Sequence, residues 1–95
     1  MAVLYISEYA TISIPNAPIA AEPSITTQTL AIGAEVKSAA FNAQTRYVRI
    51  HTDAICSIAF GSSPTATTAS MRLAAPQTEY FSVTPGHKVS VISNT

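Results

Sequence analysis

From Arg46 to Gly61 the chain reads RYVRIHTDAICSIAFG, and here alternation between large apolar and polar positions is strongest. Val48, Ile50 and Thr52 share one face of an extended segment, while Tyr47, Arg49 and His51 share the other. Cys56, Ile58 and Phe60 form a second inward row after a break at Thr52, Asp53 and Ala54. The pattern predicts a β-hairpin whose turn is stabilised by Asp53, since an aspartate side chain can bond its own backbone two residues on.

The same period recurs along the chain. Val3 to Ile14 predicts one strand, or two broken near Glu8 to Ala10. Gln28 to Ile32 and Glu35 to Phe41 predict two strands separated by a tight turn at Gly33, whose missing side chain permits a positive φ. GSSPTATTAS, residues 61–70, is poor in large apolar groups and predicts a loop at an edge. Met71 to Ala75, Glu79 to Val83 and Lys88 to Ser93 predict further strands, the last two joined through Thr84-Pro85-Gly86-His87, where Pro then Gly is the type II preference. Pro15, Pro18 and Pro23 interrupt residues 15–27, because each removes a ladder donor and fixes its own φ. That stretch is predicted to be an extended arm laid on a surface, either its own or a neighbour's.

Six to eight short strands with frequent turn signals and no helical period predict an all-β chain. The expected form is a compact antiparallel β-sandwich, with a jelly-roll among the topologies open to it and a proline-rich extended N-terminal arm. One domain over 1–95 is expected, with 1–27 as the N-terminal strand and arm and 28–95 as the sandwich. The predicted core draws on Leu4, Ile6, Leu30, Ile32, Val36, Val48, Ile50, Cys56, Ile58, Phe60, Leu73, Phe81, Val83, Val89 and Val91.

Composition changes the picture in one respect. Hydrophobic residues make up 47% of 95 residues, charged ones only 11%, and the formal net charge is zero. A surface so thinly charged is poorly protected against sticking, and a chain this short has little core to spare. A single cysteine cannot form an internal disulfide, so association with other chains is the expected supplement. Much of the hydrophobic fraction is alanine, which makes less demand for burial. Neutral charge leaves no electrostatic footprint for nucleic acid. No window is long and apolar enough for a membrane helix, and the first residues lack the pattern of a signal peptide.

Chemistry has little to work with. Cys56 falls on the inward row and His51 on the outward one, which separates a thiol from its base, and an inward thiol among aliphatics behaves as a small hydrophobe. His51, Asp53 and His87 have no spacing that would gather them round a metal. Residues 61–68 lack the second glycine and the lysine of a phosphate loop. No catalytic residue, cofactor or metal site is expected. Tyr5, Tyr9, Tyr47 and Arg49 belong to types enriched in interface cores; with Pro15, Pro18 and Pro23 of the arm, they are the candidate contact residues.

The strings YISEYA, RYVRIHTDAICSIAFG, PTAT at 64–67, EYF at 79–81 and PGHKV at 85–89 resemble a family of small proteins encoded among the virion genes of tailed bacteriophages and prophages. The resemblance is best over Ser38 to Ile92. It implies a non-enzymatic structural protein, made in a bacterial cytoplasm and carried in the virion, of the capsid cement or decoration type. Such a protein associates with itself, often as a trimer, and with the major capsid protein or another virion protein. The competing expectation is a carbohydrate- or host-surface-binding β-sandwich module of a fibre or tail. Aromatics clustered on an exposed loop would favour it, and residues 61–70 contain none.

Overall fold

A computed structural model describes residues 2–10, 12–14, 17–20 and 24–94, and for 12–14 and 17–20 it describes the backbone only. Ten strands follow in order: β1 Val3–Tyr9, β2 Ile12–Ile14, β3 Ala17–Ala20, β4 Thr26–Ala31, β5 Val36–Lys37, β6 Tyr47–Thr52, β7 Cys56–Gly61, β8 Met71–Leu73, β9 Gln77–Ser82 and β10 Lys88–Ser93. They form two four-stranded antiparallel sheets, β4-β1-β6-β9 and β5-β10-β7-β8, and a two-stranded ribbon, β2-β3. The two sheets share one apolar core, in a sandwich-like arrangement.

Alternation explains that core. Leu4 and Ile6 of β1 and Val48 and Ile50 of β6 point inward from the first sheet. They pack with Cys56 and Ile58 of β7, Leu73 of β8 and Val89 and Val91 of β10 from the second. Leu30, Ile32, Val36, Phe60, Phe81 and Val83 lie partly buried against this cluster. Every predicted core residue is therefore in the core or packed on it. Phe41, unpredicted, is buried there too, with its ring 6.5 Å from Phe60, which lies 5.0 Å from Phe81.

The strands of the 46–61 stretch form as predicted, but they are not a hairpin. β6 pairs with β1 and β9, which occupy both its edges, while β7 pairs with β10 and β8. The chain crosses from one sheet to the other at Thr52–Ile55, so the two apolar rows confront each other through the core instead of lying side by side. Thr52, not Asp53, closes this arch. Its Oγ1 donates to the Ala54 carbonyl at 2.6 Å and accepts from the Ala54 N–H at 3.2 Å. The Asp53 N–H donates to Val3 O and the Asn94 N–H to Ile55 O, fastening the crossing to both sheets.

Gly33 likewise does not make a hairpin. It has no positive φ, and β4 and β5 belong to different sheets. Only Val36–Lys37 of the predicted 35–41 strand is regular, because from Ser38 the pairing with β10 continues through mixed bonds. Ser38 N–H donates to Val89 O, the Val89 N–H donates to Ser38 Oγ, and the Phe41 N–H donates to His87 O. The Pro85-Gly86 turn is as predicted: Gly86 has φ +84° and the His87 N–H donates to Thr84 O at 3.1 Å.

Of the stretch predicted as an arm, residues 17–20 pair with 12–14, and Thr26 and Thr27 belong to β4. Pro15 and Pro23 lie outside the described residues, and Pro18 is described only as backbone of β3. Because β1 and β4 are neighbours in antiparallel pairing, the β2-β3 ribbon is inserted between the two arms of a hairpin.

One inward position is acidic and fully buried. This is Glu8, whose Oε1 accepts from Thr45 Oγ1 at 2.7 Å and the Asn42 N–H at 2.8 Å, while Oε2 accepts from Gln28 Nε2 at 2.9 Å. Gln28 Oε1 accepts in turn from the Ala39 N–H. The carboxylate thus ties β1 and β4 to the connection between β5 and β6.

Two sets of variants test these polar fastenings by urea denaturation. Thr52→Val removes both arch bonds and is expected to cost about 1–3 kcal/mol, whereas Asp53→Ala stays within about 0.5 kcal/mol. Glu8→Gln keeps the shape but replaces one acceptor oxygen with a donor facing donors, and is expected to cost about 1–3 kcal/mol.

Candidate outer-face binding site

The outer faces of the two sheets differ because their outward residues differ in size. On the second sheet Ser57, Ala59 and Ser90 are small, and the 61–70 loop folds across them rather than lying at an edge. Ala66 is buried, and its N–H donates to Ser90 Oγ at 2.9 Å. Ser90 Oγ also donates to Glu35 Oε2, and Asn94 Nδ2 joins Ser57 Oγ to Thr68 O. The Ser90 hydroxyl, with the Lys37 ammonium beside it, holds the Glu35 carboxyl below the usual carboxylate range.

On the first sheet the outward residues are large or hydrogen-bonding, and no described loop is bonded across them. Pairing sets them in rows: Thr29, Tyr5, His51 and Thr78 across the four strands, then Thr27, Ser7, Arg49 and Tyr80, then Tyr47 beside Ser82. Tyr5 is 42% exposed and its ring centroid lies 6.1 Å from that of His51, tilted 43°. His51 Nδ1 is 2.8 Å from Thr78 Oγ1, and its Nε2 is 3.7 Å from Asp53 Oδ1. Arg49 is half-buried, and its side chain has no hydrogen bond or ion pair among the described residues. A shallow depression of about 450 Å³ lies over β4, β1 and β6, lined by Tyr5, Ser7, Thr27, Gln28, Thr29, Arg49 and His51 with Ile6 beneath.

Of the predicted contact residues, Tyr5, Tyr47 and Arg49 come together on this face. Tyr9, at 3% exposure, is buried at the end of β1, in register with Tyr47. Thr27, Thr29 and Tyr80 were missed, because only the pairing of strands distant in sequence brings them beside Arg49. Tyr80 had a local signal in its alternation with Phe81.

Cys56 is fully buried in the core, and its Sγ–H donates to Thr52 Oγ1 at 3.5 Å. Burial pushes the thiol pKa up, with the Thr52 bond opposing it. His51 is on the opposite face of β6 from the core. Among the described residues no group of three or more His, Cys, Asp or Glu is placed to hold a metal ion. The outer face can therefore bind through hydroxyls, rings and one guanidinium. No protein-family model, curated protein or solved structure matches the chain.

The thiol offers a direct check on this placement. Native protein at mildly alkaline pH should react with an aromatic disulfide reagent at least about a hundredfold more slowly than urea-unfolded protein. Rapid stoichiometric labelling of the native state would instead mean an accessible thiolate.

Proposed function

We propose that the protein is a non-enzymatic structural component of a phage virion, of the capsid cement or decoration type. It associates with copies of itself, a trimer being favoured, and with the major capsid protein or another virion protein. The observation that carries the proposal is the one-sidedness of the sheets: one outer face is occupied by the chain's own loop, and the other leaves Tyr5, Tyr47, Tyr80 and Arg49 open to contact. Tyr and Arg anchor protein interfaces more often than other types, and the resemblance over residues 38–92 supplies the virion setting. A jelly-roll-like topology and an N-terminal arm resting on a neighbour belong to the same proposal. Pro15, Pro18 and Pro23 are the arm's contact candidates.

A second reading is a carbohydrate- or host-surface-binding module. The depression beside Tyr5 favours it, since rings, hydroxyls and an unpaired donor are gathered on a sheet face although the 61–70 loop lacks aromatics.

Light scattering tests the first reading. The isolated chain should show about three times the 10.0 kDa of one copy, and replacing residues 11–23 with a two-residue turn, which leaves β1 and β4 in place, should lower that mass. A mass of one chain at every concentration, with no binding to phage heads lacking the protein, would overturn it.

A further inference from the structure

We infer that the depression on the first sheet is a subsite for a carboxylate-bearing sugar residue, a uronic acid or a similar acidic monosaccharide unit. The inference rests on the carbohydrate-binding reading and narrows it.

Charge selects the anion. Arg49 is the only formally charged side chain facing outward from β4, β1, β6 and β9 when His51 is neutral, and it has no described partner. Among the described residues no acidic side chain lines the depression: Glu8 is turned into the core, and Asp53 stands beyond His51 at the arch. A guanidinium presents parallel donors that match a carboxylate in bidentate fashion.

The remaining groups select a sugar over a peptide. β1 and β6 are paired on both edges, so over these two strands the depression offers no strand edge for a peptide to extend, and the free edge of β4 lies only at its rim. Recognition there falls to side chains. The hydroxyls of Ser7, Thr27 and Thr29 and the Tyr5 ring suit a hydroxylated ring with an apolar face. A volume of about 450 Å³ is in the range of small-ligand sites.

The test is calorimetric titration of the full chain with an oligosaccharide of alternating uronic acid and N-acetylhexosamine. In parallel, the same oligosaccharide is used with its carboxylates reduced to primary alcohols. The acid form is expected to bind and the reduced form to bind about tenfold or more weakly. Arg49→Gln, checked for an unchanged urea transition, should lose a similar factor, with Arg49→Lys between. Equal affinity for the two sugars would overturn the carboxylate assignment and leave the carbohydrate reading standing. Binding of neither would overturn both. Unchanged binding by Arg49→Gln would overturn the site. The comparison of the two sugars on the unaltered protein holds even if a variant fails to fold.

Discussion

The fold depends on two apolar rows pressed against each other across the gap between the sheets. Leu4, Ile6, Val48 and Ile50 form one; Cys56, Ile58, Val89 and Val91 form the other, and all are buried. Neither row has a use without its opposite. Burying one such aliphatic side chain contributes about 1.5–3 kcal/mol, while ordering a residue costs about 1–2 kcal/mol of backbone entropy. A single sheet with one face wetted would gain too little, so the sheets are stable as a pair.

That constraint makes the crossings between sheets the sensitive points, and polar side chains are stationed at them. Thr52 closes the passage from β6 to β7, and Glu8 gathers donors from the passage between β5 and β6. Among the described residues every buried side-chain nitrogen or oxygen has a partner, so these groups fasten the loops without leaving an uncompensated dipole inside. The low charge of the chain therefore does not leave this core unfinished. Large exposed hydrophobic side chains among the described residues are confined to Tyr5, Ile25 and Met71. The open face is aromatic and polar in character, not greasy.

Alternation made the inward rows legible, from Leu4 through Val91, because a pleat assigns each residue to a face whatever strand lies beside it. It could not tell a hairpin from an arch. Val48, Ile50, Cys56 and Ile58 point inward in both, and the choice was made by β1 and β9, which claim the edges of β6 from distant positions in sequence. The break expected near Glu8 to Ala10 falls after Tyr9, but the burial of Glu8 was not legible, because its donors, Asn42, Thr45 and Gln28, are brought to it only by the finished fold. Tyr5, Tyr47 and Arg49 could be placed outward from local pattern alone, yet their grouping with Thr27, Thr29 and Tyr80 required inter-strand register. The covering role of residues 61–70 was hidden too, since nothing local to Ala66 points to Ser90.

The unequal covering of the two sheets gives the molecule a front and a back. Were the front to bind and the back not, such a body would end a stack instead of continuing it, because whatever landed on the front would be presented with nothing to repeat behind. Laid on a larger surface, such units would make a layer one molecule deep.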